Sequence, residues 1–163
     1  MAWQTPITDR TQTEVTELKR IKAKVNTSGY DALTEAEKTE LATGKGSYRI
    51  SDLNRVNECV AYLANAFNTA GYHVITVPKT DWTNADIPRR ADMVTYLENV
   101  QKLVDAFYTY ATTPDLPDSI RFLNYQGANN IEQVLSDLKT LLDGMIAQYR
   151  YSGDIYAGED DYI

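Results

Sequence analysis

The chain has 163 residues, 43% of them hydrophobic and 24% charged, which is one ordinary domain with enough apolar material for a real core. A net charge of -7 disfavours DNA or RNA as main partner, because polyanion binders carry a basic footprint. One Cys and one His leave no intrachain disulfide and no Cys/His zinc cluster, since structural zinc takes about four such ligands.

Thr5 to Thr11 reads as a polar entry loop. A helix is expected over roughly residues 12–26, with Val15, Leu18, Ile21 and Val25 on one face and Asp9 or Thr11 as cap. Gly29 breaks that pattern. Thr34 followed by Glu37 is a capping box and opens a short, polar insert helix that ends near Gly44. Ser51 is the expected cap of the next helix, about 52–70, which Gly71 stops. Its seam is Leu53, Val56, Val60, Leu63 and Phe67, at alternating spacings of three and four. Tyr72 to Val77 is the one stretch with strand character, because Val74 to Val77 are all β-branched. Buried backbone needs partners, so this segment is expected to pair with residues near Tyr149–Tyr156.

Pro78 to Ile87 forms a second polar loop, holding Trp82. Pro88 suits a first helical position, and the helix is expected over roughly 89–112. Met93, Leu97, Val100, Val104, Phe107 and Ala111 are its seam. Pro114 and Pro117 end it. Asn124 caps a last helix over about 125–150, with Ile131, Leu135, Leu138, Leu142, Met145 and Tyr149 along one face. Residues 152–163 read as an acidic mobile tail.

Pro6-Ile7-Thr8-Asp9-Arg10-Thr11 matches Pro78-Lys79-Thr80-Asp81-Trp82-Thr83 at four of six positions, and each copy leads into a helix. The fold class read from these elements is all-α: a four-helix bundle built from two helical hairpins, with the short insert helix and at most a small two-stranded β element. The domain is residues 1–151, with halves 1–71 and 77–151 reading as a repeat. Leu63, Val100 and Leu138 are expected where the helices meet.

Charge is uneven along the chain. Residues 1–80 hold 10 basic and 9 acidic groups, whereas residues 81–163 hold 6 and 14. The bland reading is solubility; the sharper one is a basic partner or an orientation within an assembly. The first residues have no basic and apolar leader pattern, and no apolar run approaches the ~20 residues of a membrane span, so a soluble, cytoplasmically made protein with no membrane partner is expected.

The chemistry candidates are thin. Serine and cysteine catalysis would both need His73 as base, and no glycine-rich nucleophile turn surrounds a Ser. Cys59 reads as a packing residue. A small cell-wall hydrolase would need a carboxylic acid in an apolar setting; Glu98 and Glu132 fit best by neighbourhood, but both flank helical seams where salt bridges are ordinary. The acidic balance also opposes such an enzyme. No phosphate loop, His-Glu-x-x-His helix or calcium loop occurs. The run Lys19, Arg20, Lys22, Lys24 reads as the wet face of a helix. No catalytic residue, cofactor, metal site or small-molecule substrate is therefore expected.

Twelve Tyr and two Trp against three Phe favour a surface that meets another protein. Trp3, Trp82, Tyr108, Tyr110, Tyr151 and Tyr156 are the candidate interface or anchor residues. For Trp82 the anchor is the preferred role, because Arg10 replaces it at the matching loop position.

Asp52-Leu53-Asn54-Arg55-Val56 with Tyr62-Leu63, then Pro78-Lys79-Thr80-Asp81-Trp82 with Asp92-Met93 and Tyr96-Leu97, resembles small proteins encoded in the tail and baseplate regions of phages and prophages of Gram-positive gut bacteria. The ending Tyr151-Ser152-Gly153-Asp154-Ile155-Tyr156-Ala157-Gly158-Glu159 has the same look. The resemblance implies a non-enzymatic structural component of the particle, in tail, baseplate or fibre. It implies other virion proteins or self-association as partners, and location in the virion, or in the host cytoplasm during assembly. The alternative is an adaptor module docking a partner through a Tyr-rich surface.

Overall fold

The computed structural model describes residues 2–153, with residues 150–153 described by their backbone alone. Five α-helices are present among them: α1 (Gln12–Ser28), α2 (Glu35–Thr43), α3 (Ile50–Thr69), α4 (Arg90–Ala106) and α5 (Tyr125–Gly153). Tyr30–Ala32 and Ile120–Phe122 form single 3-10 turns, and the described residues contain no β-strand. The expected tail, 152–163, lies outside the described residues except for the backbone of Ser152 and Gly153, which closes α5.

Short polar side chains and glycines set the helix ends. Thr11 caps α1, accepting the Glu14 N–H, while Glu14 returns to the Thr11 N–H at 2.7 Å. Thr34 and Glu37 cap α2 in the same way. Asn124 caps α5 by accepting the Gly127 N–H at 2.8 Å. Gly29 and Gly71, at φ 82° and 92°, take the left-handed turns that stop α1 and α3. Two expected starts move. α3 begins at Ile50 rather than after Ser51, because Asp52 reaches back to the Arg49 N–H at 2.6 Å. α4 begins at Arg90, because Asp92 does the same for Arg89 at 2.8 Å, so Pro88 precedes the helix instead of opening it.

The insert helix α2 buries none of its residues and is held from its ends. Arg49 Nη2 donates to the carbonyls of Leu41 at 2.9 Å and Gly44 at 3.1 Å, and Nη1 to that of Ala42. That places a cation on the negative end of the helix. The following loop presses onto α1: a Cβ on Gly46 would lie 2.3 Å from the Glu14 carbonyl oxygen.

α3, α4 and α5 pack on one another and share the main core. Leu63, Val100 and Leu138 all lie fully buried there, as expected. Two sequence expectations about arrangement fare differently. Two matched hairpins would set α1 against α3, but α1 makes its close contacts with the Tyr30–Ala32 turn and α2. α4 stops at Ala106, short of the expected 112. Phe107 turns extended, with φ -141° and ψ 173°, and its ring packs tilted against Phe67 at 4.8 Å and edge-on against Tyr72 at 4.9 Å. Ring packing onto α3 outweighs one more helical turn through aromatic and β-branched residues of poor helix propensity.

The Val74–Val77 segment needs no strand partner. Asn68 accepts the Val74 N–H and donates to the Val74 carbonyl, both at 2.9 Å, and Asn99 accepts the Val77 N–H at 3.0 Å. Its expected partner does not lie alongside as a strand either: Tyr149 to Gly153 are the last turns of α5, and residues 154–156 fall outside the described residues.

Candidate functional site

Four ionised side chains from three segments meet at the centre of the molecule. Glu132 on α5 is completely buried. Its carboxylate accepts from Arg10 Nη2 at 2.7 Å, from Arg55 Nε at 2.9 Å and Nη2 at 2.7 Å, and from the Ile7 N–H at 2.6 Å. Asp52 accepts from Arg10 Nη2 at 2.9 Å and from Arg55 Nη2, with its second oxygen on the Arg49 N–H. Arg10 Nη1 donates to the Ile7 carbonyl at 2.6 Å, and the guanidinium lies 5.4 Å from the Tyr48 ring centre. Two guanidinium groups balance two carboxylates, so the centre is neutral and nearly every donor is engaged. Among the buried side-chain atoms of the cluster, Arg10 Nε has no partner.

The Tyr48 and Tyr96 hydroxyls hydrogen-bond each other beside this cluster. Burial, reinforced by the charges of Glu132 and Asp52, pushes both phenols well above the ordinary tyrosine range.

The two matching entry loops are held alike. Asn129 on α5 accepts the Arg10 N–H at 3.1 Å and donates to the Arg10 carbonyl at 2.9 Å. Asn54 on α3 accepts the Trp82 N–H at 2.9 Å and donates to the Trp82 carbonyl at 2.8 Å. Trp82 is buried in the main core, so the structure places it as a loop anchor. Lys79 lies 4.8 Å from its ring centre and pairs with Asp81 at 2.7 Å.

A cavity of about 220 Å³ lies beside this anchor, walled by Asn57, Val77, Lys79, Trp82, Asp92 and Asn99 among others. Trp82 Nε1 and Asn99 Nδ2 are both buried and have no hydrogen-bond partner. A buried donor left unmade costs about 1–3 kcal/mol, so two such nitrogens, both out of reach of water, are an uncommon expense. A broader concavity of about 720 Å³ runs along α3, floored by small side chains such as Ala61, Ala66 and Ala70, with Ile146 also in its wall and no charged group there among the described residues.

The other sequence candidates scatter. Trp3 packs edge-on against Tyr62 at 5.5 Å, with Lys139 over both rings. Tyr108 and Tyr110 are exposed on the α4–α5 connection, Tyr108 to 77%. The side chain of Tyr151 and all of Tyr156 lie outside the described residues. Glu98 and His73 are exposed. Cys59 is buried, its thiol pushed up to about 12 by that burial, and it donates to the Gln4 carbonyl at 3.3 Å. Glu132 is sealed by two arginines rather than open to a substrate. No group of three or more His, Cys, Asp or Glu among the described residues is placed to hold a metal. No described helix is long and apolar enough to cross a membrane.

Sequence reasoning missed Arg10, Asp52, Arg55 and the clasping asparagines as a set. Their signal was the Asp-Leu-Asn-Arg run itself: Asp52 and Arg55, one turn apart on α3, meet the ionic cluster of Arg10 and Glu132, while Asn54 meets the second entry loop at Trp82. Comparison of the chain with protein-family models, with curated proteins and with solved structures finds no match.

Proposed function

We propose that the protein is a non-enzymatic structural component of a phage or phage-like particle, in the tail, baseplate or fibre, acting in the virion after assembly in the host cytoplasm. The observation that carries the reading is the division of labour among its side chains. The buried polar groups are spent on tying distant segments together, with Arg10 bonding partners 42 and 122 positions away. Large apolar side chains stand instead in water on the connections: Ile75, Val77 and Ile87 before α4, and Tyr108 and Phe122 before α5. A particle subunit keeps its own core rigid and meets its neighbours through such residues. The residues that carry the family resemblance support the same reading, because Asp52, Asn54, Arg55 and Trp82 are the ones that lock the entry loops. The matched clasps also favour a duplicated origin of the two halves, in which each loop docks on the closing helix of the other. The adaptor alternative uses the same Tyr108 and Tyr110 surface toward a partner outside a particle.

The test is mass spectrometry of particles pelleted from the source organism after prophage induction. Recovery of the protein in fixed ratio to other particle proteins supports the reading. Recovery only in the particle-free fraction refutes it and leaves the adaptor.

A further inference from the structure

We propose that the cleft at the start of α5 receives the acidic segment that follows α5 in a second copy of this chain, so that copies join head to tail. The cleft measures about 270 Å³. Its wall is drawn from α1, from the loop after α2 and from the first residues of α5. It includes Arg10, Lys19 and Lys45, with no Asp or Glu among its described residues. In a chain of net charge -7 this is a local reversal of sign. Arg10 is committed to Asp52 and Glu132, so the lysines set the field. Lys19 has no ion pair among the described residues, and neither has Lys22, one turn further along α1. Lys45 pairs with Asp9 at 2.6 Å, but both side chains are solvent-exposed, and a pair of that kind holds weakly against an incoming carboxylate. Val15, Leu123 and Tyr125 add apolar wall that a tyrosine ring can cover.

The complementary charge follows the other end of α5. Asp154, Glu159, Asp160 and Asp161 stand there with no basic residue among positions 154–163, and Tyr156 and Tyr162 supply rings. Reach excludes the chain's own segment. α5 rises about 1.5 Å per residue, so Gly153 lies about 38 Å along the helix from Ala128, the cleft residue nearest to it in sequence. Asp161 is eight residues beyond Gly153 and spans at most about 29 Å when fully extended. The cleft and the acidic segment therefore meet between copies. A contact between two different surfaces of identical chains propagates into a ring or a filament. The uneven charge along the chain then orients the copies, the basic cleft of one accepting the acidic segment of the next. This contact rests on the reading of a particle subunit for its setting, but the experiment uses the purified chain alone, so its failure leaves that reading to the particle fractions.

The experiment is sedimentation velocity of the purified full chain over a range of concentrations, at low and at high salt. The average mass should rise with concentration and return to the monomer as salt screens the lysines. Lys19→Glu with Lys45→Glu, and separately Asp160→Lys with Asp161→Lys, should each weaken association at least about tenfold. Mixed in equal amounts, the two variants should form a dimer that grows no further, because one keeps its acidic segment and the other its cleft. Circular dichroism melts matching the parent's exclude misfolding as the cause. A peptide of residues 154–161 in excess should dissociate the parent's assemblies, and it tests the same contact if the cleft variant does not fold. A monomer at every concentration and salt overturns the proposal. So does association that either variant leaves intact, or a mixture of the variants that stays monomeric. Dissociation by inorganic phosphate at the peptide's concentration means that the cleft takes small anions, and overturns the assignment to the acidic segment.

Discussion

Replacing Glu132 with Gln removes one charge from the neutral centre and almost nothing else. The side chain keeps its shape, but Arg10 and Arg55 are then left with Asp52 alone, and the new amino group points a donor at donors. The Ile7 N–H and three guanidinium hydrogen bonds, at 2.6–2.9 Å, all terminate on the altered group. Breaking a buried pair from one side costs about 3–5 kcal/mol, because a charge is stranded out of water. A domain of this size has about 5–15 kcal/mol to lose. At about 2–4 °C per kcal/mol the Tm should fall by roughly 6–20 °C. Thermal and urea melts followed by circular dichroism measure this. A double-mutant cycle with Arg10→Gln should give a coupling of about 0.5–3 kcal/mol. A Glu132→Gln protein within about 0.5 kcal/mol of the parent would show the centre to be hydrated in solution, and the reasoning would fail.

Leu138→Ala should cost about 2–5 kcal/mol in the same melts, the range for a core Leu; a neutral variant would contradict the three-helix core. In a Trp3→Phe protein, Trp82 fluorescence should resist acrylamide or iodide until denaturant is added, and ready quenching of the native protein would remove the anchor role. Cys59 should fail to react with Ellman's reagent at pH 8 and react fully in urea. Cys59 rises from 9.0 to about 12, and Tyr48 and Tyr96 also rise, all through burial. Each group folds in its neutral form, so its stabilising effect is complete below the unfolded pKa and is lost as pH climbs through the folded one. Stability should therefore decline from about pH 9 upward, with two tyrosines ionising only as the protein unfolds; a melt independent of pH from 8 to 11 would refute this.

The helices were legible because periodicity and caps are local. Leu53 to Phe67 and Ile131 to Leu142 announce their buried faces, and Thr34 with Glu37 announces a helix start. α4 was overdrawn for a physical reason: its heptad-like spacing continues through Phe107 and Ala111, but Phe67 and Tyr72 offer Phe107 a better contact outside the helix. Those contacts join residues 40 and 35 positions apart and leave no local trace. Val74–Val77 misled in a similar way. β-branched residues favour strands, but the segment forms none, and asparagine side chains rather than a second strand take hydrogen bonds from its backbone. Glu132 is singled out by its sequence neighbours as a carboxyl in an apolar setting; it is buried, but against two guanidinium groups rather than apolar side chains. Its opposite partners, on α3 and in the first loop, come from distant sequence that periodicity cannot bring together.

Arg10 and Trp82 show what such a clasp permits. Each loop is held by its backbone, through the N–H and carbonyl of one residue, so the clasp itself does not depend on which side chain sits there. Asn129 and Asn54 perform this alike although one side chain is a cation and the other an indole. The side chain is thus released to specialise. At position 10 it becomes the ionic pin that joins α3 to α5 through Asp52 and Glu132. At position 82 it fills apolar space but brings an indole N–H that the core does not satisfy. An ionic pin demands that every donor and acceptor be matched, and it leaves one nitrogen over. A hydrophobic anchor tolerates a gap more cheaply, and it is there that the structure keeps a cavity. The locked loop therefore supports rigidity and the anchored loop keeps its ring in the core beside open space, while each leaves one buried nitrogen, Arg10 Nε or Trp82 Nε1, without a partner.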